Sequence, residues 1–231
     1  MFYKDWKPLY DKIANDFNFQ VEKDIEAANI LNKMLQKKNL CSKKKLEDII
    51  AGKDVVVFGA GPSLEQKLIQ HKKELSNKIK IAADGATSVL LENDIFPEII
   101  VTDLDGKITD QLEANSNGSV AVIHAHGDNI DKIKEYVPKF SGDIIGSTQN
   151  DPGPYKHLHN FGGFTDGDRA VFLADYFHAK KIFLIGFDFD GKIGRYSFSE
   201  SKNKVQKLKK LKWCKYLIEL LKKENQNIQE L

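Results

Sequence analysis

The chain has 231 residues, enough to bury one substantial core and too few for two comfortable independent domains. Lysine and arginine number 35 against 33 aspartates and glutamates, a formal net charge of +2 with both signs interleaved, which gives no electrostatic case for nucleic acid or a membrane surface. The two cysteines, Cys41 and Cys214, lack the paired spacing of a zinc site or a disulfide framework and suit a reducing compartment.

Met1 to Pro8 mix charge with aromatics and carry no apolar signal core, and no run is long enough to span a bilayer, so the expectation is a cytoplasmic protein. Residues 1–50 contain no strand-like run. Val21, Ile25, Ala28, Leu31 and Leu35 recur at helical spacing, which predicts an N-terminal helical segment ahead of an α/β catalytic domain over 51–231.

After Ala51-Gly52 the pattern changes to short continuous apolar runs. Strands are predicted at Val55 to Phe58, Ile79 to Ala83, Ile99 to Val101, Val120 to His124, Ile144 to Gly146 and Ile182 to Ile185, most of them separated by helix-length segments. Six such strands alternating with helices predict a doubly wound, mostly parallel, Rossmann-like sheet, whose ligands bind beyond the carboxyl ends of the strands.

Unusual residues collect at those ends. Gly59-Ala60-Gly61-Pro62-Ser63-Leu64 follows the first strand; its small residues let backbone approach a phosphate, and Ser63 is placed to cap the next helix. The third glycine of a dinucleotide fingerprint is missing, so a tight strand-to-helix turn is the plainer reading. Ala83-Asp84-Gly85-Ala86-Thr87 follows the second strand and Thr102-Asp103-Leu104-Asp105-Gly106 the third. In extended backbone, residues two apart project to one side, which aims Asp103 and Asp105 at a common cation.

Beyond the fourth strand, His124-Ala125-His126-Gly127-Asp128-Asn129 sets two histidines on one side. They are read first as polar contacts and only secondarily as ligands of a transition metal. Asn160 to Ala170 is rich in glycine and aspartate and ends at Arg169, one of two arginines in a lysine-dominated chain, the other being Arg195. The last predicted strand delivers Gly186-Phe187-Asp188-Phe189-Asp190-Gly191, a second pair of alternate aspartates. Lys202 to Lys223 then reads as a docked amphipathic helix with a basic outer face. Neither a nucleophile elbow nor a P-loop is present.

In this order, Gly-Ala-Gly-Pro-Ser-Leu, Ala-Asp-Gly-Ala, Thr-Asp-Leu-Asp-Gly, His-Ala-His-Gly-Asp-Asn, Gly-Phe-Thr-Asp-Gly-Asp-Arg and Gly-Phe-Asp-Phe-Asp-Gly resemble the archaeal 6-hydroxymethyl-7,8-dihydropterin pyrophosphokinases. The Asp-Gly-Ala and Asp-Leu-Asp-Gly elements are also similar to thiamine pyrophosphokinases. The resemblance implies a Mg²⁺-dependent transfer of diphosphate from ATP to the hydroxymethyl oxygen of a reduced pterin, releasing AMP, in tetrahydromethanopterin or folate synthesis.

It implies Mg²⁺ on Asp103 and Asp105, with Asp84 as a further metal or ribose contact beside Gly85. Nucleotide phosphates would meet Gly59, Gly61, Pro62, Ser63, Arg169 and one of Lys202, Lys204 or Lys207. Asp128 or Asp168 would accept the hydroxyl proton, and His124, His126, Asn160, Phe161 and Phe164 are candidate pterin contacts. The partners expected are ATP and a reduced hydroxymethylpterin, with no nucleic acid and no membrane; a homo-oligomer is left open. A thiamine-type diphosphokinase and a nucleotide-sensing module without turnover are the alternatives. A flagellin-modifying type of glycosyltransferase is disfavoured by the short chain.

Overall fold

Val55 and Val57 point into one core and Val56 and Phe58 into another, so the first apolar run is buried on both faces and has no reason to alternate with polar residues. The computed structural model describes residues 3–191, 194–196 and 204–231. The run is strand β1 (Asp54–Phe58) of a sheet completed by β2 (Ile79–Ala83), β3 (Ile99–Thr102), β4 (Val120–Ala125), β5 (Ile144–Thr148), β6 (Leu158–His159), β7 (Lys181–Ile185) and β8 (Ile228–Glu230).

The order is β6-β5-β4-β3-β2-β1-β7-β8 and every pairing is parallel, so the fold is the doubly wound α/β class expected. Two strands were absent from the sequence pattern. β6 has two residues and β8 three, too short for an apolar run, and both lie at sheet edges. The chain winds one way from β1 to β6 and then crosses to β7 on the other side of β1, which makes the β1/β7 boundary the topological switch point.

Helices α1 (Tyr3–Phe17), α3 (Lys43–Ile50), α8 (Asp166–Tyr176) and α9 (Lys204–Glu224) share the core on one face of the sheet. On the other face, α2 (Val21–Leu35), α6 (Ile108–Ser116) and α7 (Ile130–Tyr136) cover β4 and β5, while α4 (Leu64–His71) and α5 (Ala86–Glu92) cover β1 and β2. The sheet is therefore covered on both sides.

The leader helices are packed into these same cores. Cys41 donates its backbone N–H to the Ile144 carbonyl at 2.8 Å, and Leu31 and Leu35 are fully buried against β5; truncating either to alanine costs about 2–5 kcal/mol. The inward stripe of α2 differs from the expected one: Val21 and Ile25 are exposed, and Asp24, Ala27, Ala28, Leu31 and Leu35 face in. Both cysteines are free and buried, and no described helix is long and apolar enough to cross a membrane.

Candidate active site

A cavity of about 440 Å³ opens at the carboxyl ends of the central strands, within the range of small-ligand sites. Its back wall is the β1/β7 switch point. There Gly59 donates to Ile185 O at 2.8 Å and Gly61 to Gly186 O at 2.9 Å, while Gly186 turns at φ +74°. A Cβ on Gly61 would collide with Asp188 and with the Gly186 carbonyl. The glycines are thus required by the approach of two strand-end loops to each other. Ser63 donates its backbone N–H and its hydroxyl to Asp188 Oδ2, each at 2.9 Å, and caps nothing; neither Pro62 nor Ser63 lines the cavity, whereas Gly59 and Gly61 do.

The floor is acidic. Asp84 leaves β2 at φ +42°, with its Oδ1 accepting from Thr102 Oγ1 at 3.1 Å and Gln111 Nε2 at 2.8 Å. Asp103 leaves β3, with one oxygen 3.2 Å from His126 Nε2 and the other buried without a hydrogen-bond partner. Asp166 begins α8. Oxygens of these three carboxylates lie within 4.8 Å of one another.

Like charges at that separation are mutually unfavourable. Burial and the neighbouring Asp103 push the Asp84 carboxyl up to about 7, and the same two causes push Asp166 well above the carboxylate range against the opposing pull of Arg169. Burial also acts to raise Asp103, but the hydrogen bond and charge of His126, with Arg169 and Lys210, outweigh it and hold Asp103 below the ordinary range. The trio and its orphaned oxygen fit a hard divalent cation, which takes oxygen donors and offsets the repulsion.

Asp105 does not join the trio. Leu104, between the two aspartates, is buried in the left-handed region at φ +67°, so the alternation that would align Asp103 with Asp105 is broken, and the Asp105 carboxylate turns to Lys132. The conformation costs about 1–2 kcal/mol and is held by core burial of Leu104 and by its N–H donating to Thr102 Oγ1 at 2.8 Å.

Among the other expected residues, Gly85, His126, Asp128, Phe164, Arg169 and Lys207 line the cavity, Asp128 from an exposed rim. Asp168 does not. Its carboxylate accepts from the N–H groups of Phe164 and Thr165, at 3.0 and 2.6 Å, in a capping box at the start of α8. Asn160 is committed to its own loop, donating to Asn150 O and accepting from the Gly162 N–H, and Phe161 is core. His124 is buried and does not line the cavity; its ring lies 3.0 Å from Ser147 Oγ, with burial and Arg169 driving its pKa well below the ordinary value. Lys202 and the side chain of Lys204 lie outside the described residues.

Several cavity residues escaped the sequence reading. The Thr165-x-x-Asp168 capping signature commits Asp168 to the helix end and leaves Asp166 available, a usable signal. Lys210 lines the wall beside Lys207, as does Asp188 of the second aspartate pair singled out from the sequence. From the leader come Asn18, Phe19, Gln20, Lys23 and Asp24, and Phe19 stands 6.1 Å from Phe164 between ring centroids. No local pattern announces contacts made across so much chain.

Fold and site together define an α/β protein of the doubly wound class, with an acidic cavity at the carboxyl edge of a parallel sheet. A family model described as 6-hydroxymethylpterin diphosphokinase MptE-like matches residues 27–194. Among curated proteins, a 6-hydroxymethyl-7,8-dihydropterin pyrophosphokinase of Methanocaldococcus jannaschii is 47% identical over 95% of each chain. That of Pyrococcus furiosus is 46% identical over 96% of this chain and 95% of its own, and that of Methanothermobacter thermautotrophicus is 46% identical over 83% and 81%. The chain belongs to the MptE-like 6-hydroxymethylpterin diphosphokinase family.

Proposed function

We propose that the chain transfers diphosphate from ATP to the hydroxymethyl oxygen of 6-hydroxymethyl-7,8-dihydropterin, using Mg²⁺, and releases AMP. The observation that carries this reading is the Asp84, Asp103 and Asp166 trio with its unpartnered oxygen, set in a cavity that also holds cationic side chains. In the reaction the acceptor oxygen bonds to the β-phosphorus, the bond from that phosphorus to the α,β-bridging oxygen breaks, and AMP leaves. A bound Mg²⁺ supplies charge neutralisation for the polyphosphate oxygens.

The chain's own residues perform the positioning that such a transfer needs. Asp84, Asp103 and Asp166 hold the cation. Arg169, Lys207 and Lys210 face the same cavity and meet the remaining phosphate charge, with the Gly59-Ala60-Gly61 backbone alongside. Phe19 and Phe164 offer apolar ring surface for a heterocycle. Asp128 at the rim is the side chain assigned to accept the hydroxyl proton, now that Asp168 is accounted for as a helix cap. The free cysteines support a cytoplasmic setting, and the product is assigned to tetrahydromethanopterin or folate synthesis.

The test is nucleotide analysis after incubation with ATP, Mg²⁺ and the reduced pterin, with thiamine in a parallel reaction. Pterin-dependent AMP that disappears with EDTA and returns with Mg²⁺ is expected. AMP formed with thiamine and not with pterin would reassign the acceptor.

A further inference from the structure

Asp24 is a buried carboxyl group of the leader, 4% exposed, and each of its oxygens is engaged. Oδ1 accepts the N–H of Gly127 at 2.7 Å; Oδ2 accepts from Gln149 Nε2 at 2.8 Å and from the Tyr10 hydroxyl. Each arm ends on the acidic trio. Gly127 follows His126, whose Nε2 is 3.2 Å from Asp103 Oδ2. Gln149 Oε1 accepts from Arg169 Nη2 at 3.4 Å, and Arg169 Nη1 donates to Asp166 Oδ1 at 3.2 Å.

We infer that Asp24 is a positioning residue of the diphosphoryl-transfer site, one leader carboxyl group that sets His126 against Asp103 through one oxygen and Arg169 against Asp166 through the other. The inference rests on the function proposed above. Its physical basis is acceptor capacity. Asp24 receives three donors on two oxygens, and asparagine cannot do so without turning its amide N–H toward the Gly127 N–H or toward Gln149 Nε2. Asp24, Tyr10, Gln149 and Arg169 are buried, so a bond lost between them is not replaced by bulk water. A carboxyl group serving only to fasten α2 to the sheet would have no reason to bridge both flanks of one site.

The experiment uses the full-length chain with Asp24→Asn, Gln149→Met and, as a control on the exposed Lys7–Asp11 pair of α1, Asp11→Asn. Affinity for Mn²⁺ alone is read by electron paramagnetic resonance, and kcat and KM by AMP release. Asp24→Asn and Gln149→Met are expected to weaken Mn²⁺ binding and to lower kcat by about tenfold or more, the loss typical of groups that orient metal ligands. Asp11→Asn is expected to match wild type.

Gln149→Met leaves Asp24 held by Tyr10 and Gly127, so it keeps the question answerable if Asp24→Asn does not fold. Folded variants with wild-type Mn²⁺ affinity and kcat would overturn the inference, whatever their melting temperatures. Should wild type fail to turn over the pterin, the proposed function falls, while the Mn²⁺ comparison still decides the role of Asp24.

Discussion

Arg169 Nη1 lies 3.2 Å from Oδ1 of Asp166, three residues earlier on α8, and its Nη2 reaches Gln149 at 3.4 Å in the opposite direction. One planar fork therefore restrains a carboxylate of the acidic trio while leaving a buried positive charge in the cavity wall. Lysine cannot make both contacts, because its ammonium is a compact donor on a flexible stem. Arg169→Lys is expected to lower kcat/KM for AMP formation by about 10- to 100-fold with the circular dichroism spectrum unchanged. Steady-state kinetics on a variant of verified fold measures this, and wild-type kinetics would remove Arg169 from the site.

The trio makes a ranked prediction about its members and their neighbour. Asp103→Asn and Asp166→Asn should each weaken Mn²⁺ or Mg²⁺ binding strongly and reduce turnover by about a hundredfold or more. Asp105→Asn should stay within about fivefold of wild type, since a partly exposed ion pair with Lys132 is worth at most about 1 kcal/mol. Isothermal titration of the metal alongside turnover assays tests the order. An Asp105→Asn loss as deep as that of Asp103→Asn would restore Asp105 to the cation.

The contrast between Asp103 and Asp105 shows where sequence reasoning stopped. The parallel sheet was legible because continuous runs such as Val55 to Phe58 need burial on both faces, and Asp103 was legible because it ends such a run. Asp105 was misaligned because the alternation rule assumes extended backbone, which Leu104 abandons at φ +67°. Asp166 and Asp168 look alike in sequence, and only the capping geometry separates them. The leader's part in the cavity was hidden because its bonds, Asp24 to Gly127 and to Gln149, join residues distant in sequence.

The glycine turn at the switch point should be intolerant for a steric reason. Gly186 has φ +74°, and a Cβ there would run into the Gly59 carbonyl oxygen and meet Leu64 Cβ at 3.0 Å. Gly186→Ala combines a left-handed non-glycine residue with overpacking against backbone, so a destabilisation of about 2–4 kcal/mol is expected. Urea unfolding with an unchanged slope checks it. A variant as stable as wild type would mean that the two loops can separate freely.

His159 gives a stability prediction away from the proposed chemistry. Burial, followed by Lys43 and His157, lowers its pKa to about 4, so the folded state keeps the ring neutral while the unfolded chain titrates near the ordinary value. The contribution is complete above about pH 6.5 and is lost progressively as pH falls towards about 4. His124 acts in the same direction, whereas the raised carboxyls Asp84 and Asp166 favour the folded state as pH falls. Comparing wild type with His159→Gln isolates the term. The stability gap between them should change across pH 6.5 to 4, with wild type losing ground as acid is added.

Whether this cavity moves two phosphoryl groups together is read from ATP labelled separately at the β and γ phosphates. Both labels are expected in the pterin product in equal amounts, with unlabelled AMP as the other product. Transfer of the γ label alone, with ADP released, would contradict diphosphoryl transfer.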